Sequence, residues 1–145
     1  MTDTVELRVE RRIAAPRAAV YRHLTDSVEW ARWQGESAEI EPVAGGRFRL
    51  VMRGGATVEG RFVELVPDQR VTFTWGWRGS PTVPPGSSTV DIELVTDGDG
   101  TIVRLTHRGL PAEDVAIHRL GWEMYLPRLA IVAAGGDPGP EPAPG

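Results

Sequence analysis

Apolar and polar residues alternate from the start of the chain. Val5, Leu7 and Val9 fall between Glu6, Arg8 and Glu10, the period of two that gives a strand with one buried face. Ile13-Ala14-Ala15-Pro16 stops that strand, and Pro16 suits the first turn of a helix, where its missing N–H costs nothing. Val20, Tyr21 and Leu24 then recur at helical spacing, predicting a short helix from Arg17 to Leu24. Thr25 or Asp26 can cap a second short helix carrying Val28, Trp30 and Trp33.

Strand patterns return from Glu36 to Arg53, interrupted by a reversal at Pro42 to Gly46, with Phe48, Leu50 and Met52 on one apolar side. After Gly54-Gly55 comes a strand from Thr57 to Val66 with two apolar faces, Val58 and Phe62 on one, Val63 and Leu65 on the other; the pattern leaves open which is buried. Val71, Phe73, Trp75 and Trp77 alternate with Thr72, Thr74 and Gly76 in the chain's strongest strand signal. Arg78 to Ser87, with Pro81, Pro84 and Pro85, reads as a mobile loop. Val90, Ile92 and Leu94, then Val103, Leu105 and His107, form a hairpin closed by Asp97-Gly98-Asp99-Gly100.

From Ala112 to about Ala134 the period becomes 3.6, with Val115, His118, Trp122, Tyr125, Leu126, Leu129 and Val132 or Ala133 on one face. Pro127 should kink this helix, since it cannot donate to the carbonyl of Glu123. Two short helices, a run of hairpins and one long terminal helix exclude a parallel α/β fold, which needs helices between successive strands. The expected class is α+β, a curved antiparallel β-sheet wrapped around a long C-terminal α-helix, with a cavity where sheet and helix diverge.

Composition narrows the function. The 145 residues suit one domain. Without cysteine there are no disulfides and no thiolate metal sites. All 16 basic residues are Arg, yet the formal charge is −4, and Glu6 and Glu10 interleave with Arg8, Arg11 and Arg12, so no nucleic-acid-binding face is expected. The opening MTDTVELRVERR lacks the apolar core of a signal peptide, and no apolar run reaches membrane-spanning length; a cytoplasmic location without membrane insertion is expected. HExxH, P-loop, GxGxxG and GxSxG patterns are absent, so no metal and no cofactor is expected.

The segments VERRIAAPRAAVYRHLTDSVEWARW, GRFVELVPDQRVTFTW and GTIVRLTHRGLPAEDVAIHRLGWEMYLPRL, in this order, resemble the helix-grip fold of the START-like (SRPBCC) superfamily. Within it they are most similar to the branch of the activator of heat-shock-protein-90 ATPase. The resemblance runs from about Val5 to Ala134 and implies a single START-like domain over 1–134, with a disordered Pro/Gly-rich tail over 135–145. It also implies an internal apolar cavity, in a superfamily whose activities range from lipid or polyketide binding to cyclisation and chaperone stimulation. Such motifs specify fold, not chemistry.

The candidate cavity wall is Trp75, Trp77, Trp122 and Tyr125 with Phe48 and Phe73, bulky faces of a strand and a helix that should meet. The competing reading is that they simply fill the core. Trp30 and Trp33 are placed at the cavity mouth, as gate or as rim packing. His107 and His118 should face inward, as polar anchors, as acid-base groups or as satisfied core histidines; His23 should face solvent. No catalytic residue is assigned, because no second positioned acid or base accompanies the histidines. Three functions stay open: a module binding a small apolar or aromatic molecule, a protein-interaction module acting on a chaperone or other protein, and a cyclase- or hydrolase-like enzyme on a polyketide-like substrate. Either a monomer or a homodimer is compatible with all three.

Overall fold

The computed structural model describes residues 4–143. Strand β1 (Thr4–Ile13) is followed by helices α1 (Arg17–Arg22) and α2 (Ser27–Trp30). Six strands follow, β2 (Ser37–Ile40), β3 (Arg47–Val51), β4 (Thr57–Val66), β5 (Arg70–Trp75), β6 (Ser88–Asp97) and β7 (Gly100–Pro111), and then helix α3 (Val115–Ala133). The sheet order is β1-β7-β6-β5-β4-β3-β2, so each strand from β2 to β7 pairs with its sequence neighbour while β1 closes the far edge on β7. Every pairing is antiparallel. This is the expected α+β helix-grip architecture. No helix among the described residues is long and apolar enough to cross a membrane.

Bulges set which residues enter the core. In β1 the register shifts between Val5 and Leu7, so Leu7 is buried while Val5 is left exposed, against the simple alternation. In β4 a second shift between Phe62 and Glu64 resolves the two-faced pattern: Val58 and Phe62 are buried, and Val63 faces outward. The inner residues of β5 and β6 (Val71, Phe73, Trp75, Val90, Ile92, Leu94) follow the period of two throughout.

Helix α3 lays His118, Trp122, Leu126, Leu129 and Val132 against the sheet, and it continues through Pro127 to Ala133. Its outer side mixes exposed Ile117, Leu120, Met124 and Ile131 with exposed Arg119 and Glu123. At α2, the Asp26 carboxylate accepts the Glu29 N–H at 2.9 Å and caps the helix.

Two segments depart from the composition-based expectation. The irregular stretch 78–87 folds down onto the end of β5, where the Trp77 N–H donates to the Val83 carbonyl at 2.7 Å and Val83 is buried. Gly76 makes that approach possible, because a Cβ there would collide with the Pro84 carbonyl. The tail from Gly135, expected to be disordered, packs back on the domain through its described residues. Arg128 donates to the carbonyls of Pro138 and Gly139 at 3.0 and 2.9 Å. The Glu141 carboxylate accepts from the Gly35 N–H at 3.0 Å and the Tyr125 O–H at 2.9 Å. A composition poor in apolar residues is here held by hydrogen bonds, to the buried Glu141 carboxylate and from Arg128 and Arg53 to tail carbonyls.

Candidate functional site

Trp75 and Trp77 lie two residues apart at the end of β5, where Trp77 makes an isolated bridge with Val58. Across from them, His118, Trp122 and Tyr125 come from successive turns of α3. These five side chains enclose a cavity of about 280 Å³. That is near the lower end of small-molecule sites, about 300–1,000 Å³. Met52, Val83 and Ile117 add apolar wall, and Gln34, Ser80 and Asp114 add polar groups. Ile117 is exposed, so the cavity reaches the surface beside it.

Gly121 completes the wall. A Cβ at this position would have no neighbour within 4 Å, so the missing side chain is open space between Ile117 and Tyr125 on the same face of α3. A glycine in mid-helix costs about 1 kcal/mol relative to alanine. Here it leaves volume in the site.

The polar atoms around the cavity fall into two groups. The satisfied group is extensive. Trp77 Nε1 donates to His118 Nε2 at 3.0 Å, which leaves the His118 proton on Nδ1, 2.7 Å from the Asp114 carbonyl it donates to. Trp122 Nε1 donates to His107 Nδ1 at 3.1 Å, so His107 carries its proton on Nε2 and donates to Ser88 Oγ at 2.8 Å. The Ser88 hydroxyl in turn donates to the Trp75 carbonyl at 2.9 Å. Burial, reinforced by His118 at a ring distance of 5.2 Å, pushes the His107 pKa down to about 3. Tyr125 is shifted the other way, its phenol held above the usual range by burial first and then by Glu141.

The unsatisfied group is small. Trp75 Nε1 and Asp114 Oδ2 are buried without a hydrogen-bond partner, at a cost of about 1–3 kcal/mol for each such group. Both residues line the cavity. A third such atom among the described residues, His23 Nε2, is absent from the cavity lining and faces Glu29 Oε2 at 3.0 Å.

Of the residues anticipated from sequence, Trp75, Trp77, His118, Trp122 and Tyr125 line the cavity. His107, Phe48 and Phe73 stand behind the wall: Phe48 stacks on Phe73 at 4.2 Å, and both back Trp75 at 6.2 and 6.4 Å. The placement of Trp30 and Trp33 at the mouth is corrected. Both are fully buried, 5.0 Å apart, with Trp30 set edge-on against Phe48 and Phe73. Their N–H groups find internal acceptors, Trp30 on Gln34 Oε1 and Trp33 on the His23 carbonyl, both at 3.0 Å, which makes complete burial tolerable. His23 is likewise buried, against expectation, with Nδ1 on the Ala19 carbonyl at 2.8 Å.

Gln34, Met52, Ser80, Val83, Asp114, Ile117 and Gly121 were not anticipated. Most sit in turns, in the 78–87 loop or on the outer flank of α3, where no hydrophobic period marks them. Two carried a sequence signal, Met52 in the apolar alternation with Phe48 and Leu50, and Gly121 as a helix-breaking residue inside a helical pattern.

Comparison with known proteins places the chain in a family. The family model described as "Activator of Hsp90 ATPase homolog 1-like protein" matches residues 14–134. The chain belongs to that family. The solved AHSA1-like protein of Rhizobium etli is 47% identical, with a TM-score of 0.76 over 99% of this chain and 90% of its own. CalU16 of Micromonospora echinospora is 30% identical, with a TM-score of 0.75 over 92% of this chain and 68% of its own. The human activator of 90 kDa heat shock protein ATPase homolog 1 is 27% identical over 88 residues, covering 61% of this chain. The aligned part is 25% of the human protein's length, so this AHSA1-like chain spans about a quarter of it.

Proposed function

We propose that this AHSA1-like protein binds a small, flat apolar or aromatic molecule in the cavity between β5 and α3, and so sequesters, senses or transports it. The observation that carries the reading is the state of Trp75. Its side chain is 2% exposed yet borders open volume, with its N–H unpartnered, at the meeting point of Trp77, Trp122 and His118. An aromatic cluster whose only task was to fill the core would close on itself, as Trp30, Phe48 and Phe73 do. Both imidazoles near the cavity already spend both ring nitrogens on protein partners, which favours holding a ligand over transferring protons to it.

Tryptophan emission and thermal melting in the presence of a panel of one- and two-ring aromatics test the proposal. A ligand held at about a hundred times its Kd adds about 2.7 kcal/mol to stability and raises Tm accordingly. A panel that moves neither emission nor Tm would overturn the reading.

A further inference from the structure

The cavity is chemically one-sided. Apolar surface surrounds most of it, no Arg is among its lining residues, and the chain has no Lys. Its ionisable carboxyl is Asp114, at the N-cap of α3. Asp114 closes a short 3-10 turn, Ala112–Asp114, that runs into α3 with helical backbone angles, not the extended ones of a capping residue. Its side chain makes no capping hydrogen bond, and its Oδ2 is buried without any partner. Trp75, lining the same cavity, holds a buried donor that is equally unused. The site thus offers an unused acceptor at the start of α3 and an unused donor at the end of β5, inside an otherwise satisfied network.

Building on the ligand-binding reading, we infer that the occupant is an uncharged aromatic molecule bearing a hydroxyl group, which donates to Asp114 Oδ2 while a ligand oxygen accepts from Trp75 Nε1. A single phenolic hydroxyl has both capacities. An anionic ligand would meet the Asp114 carboxylate with no cation on the wall to offset it. A ligand with no polar group would leave both atoms unpaired.

Calorimetric titration of the native chain with naphthalene, methoxynaphthalene, naphthol and naphthoate separates the possibilities. Naphthol is expected to bind at least about tenfold more tightly than methoxynaphthalene, which accepts but cannot donate, because a hydrogen bond to a charged group is worth at least that factor. Naphthoate is expected to bind most weakly. Asp114→Ala, which costs the folded chain no side-chain hydrogen bond, should bring naphthol down to the methoxynaphthalene level. Trp75→Phe, which keeps the ring and removes the N–H, should weaken naphthol and methoxynaphthalene and leave naphthalene unchanged. The ligand series on the native chain decides the matter even if Trp75→Phe fails to fold. Equal affinity for naphthol and methoxynaphthalene, or a naphthol preference that survives Asp114→Ala, would overturn this inference alone. Failure of all four probes to bind would overturn the ligand-binding reading itself.

Discussion

Protonating His107 is the perturbation whose cost the structure defines best. The ring is fully buried, Nδ1 accepts from Trp122 and Nε2–H donates to Ser88, so a second proton would set two donors against each other at Nδ1. Burial and the neighbouring His118 lower the pKa from 6.5 to about 3. The unfolded chain takes up this proton below about pH 6.5 while the folded chain refuses it until about pH 3, so folded stability falls as pH drops through that window. Between pH 7 and 5 the difference integrates to about 2 kcal/mol at 1.36 kcal/mol per unit. Urea melts of the native chain and of His107→Gln at both pH values measure it. Carboxylates contribute to both curves alike, so the native chain should lose about 2 kcal/mol more than the variant. Parallel losses, or a His107 ring signal titrating near 6.5 by NMR, would refute the reasoning.

Two further outcomes follow from the packing. Gly121→Ala should stabilise the protein by up to about 1 kcal/mol, since a methyl there meets nothing within 4 Å, whereas Gly121→Leu should fill the cavity and abolish naphthalene binding; melting and calorimetry report the two effects separately. Glu141→Ala should cost about 1–3 kcal/mol and speed hydrogen exchange at the Gly35 amide, which loses its acceptor; unchanged exchange would show that the tail does not hold that amide.

The wall residues were legible because both elements that carry them are strongly periodic. Trp75 and Trp77 repeat at two, while His118, Trp122 and Tyr125 repeat at three to four, so a strand face and a helix face could be paired on paper. Trp30 and Trp33 misled for the opposite reason. Trp30 ends a helix of a single turn and Trp33 lies in the turn after it, too short a stretch for a pattern to tell an inner from an outer face or to show the internal acceptors that make full burial tolerable. The tail misled because composition counts apolar residues and cannot register one glutamate reaching a tyrosine on the preceding helix. Asp114 was not legible, because no local period tells that its Oδ2 ends up buried and without a partner.

Gly121 has a consequence at the level of the gene. Every glycine codon lies one base away from a codon for alanine and from one for valine, so a single substitution could alter the depth of the cavity without disturbing the β5 wall, the His107 network or the tail. On the proposed ligand-binding function, a lineage could therefore change the size of molecule it admits by drift at this one site.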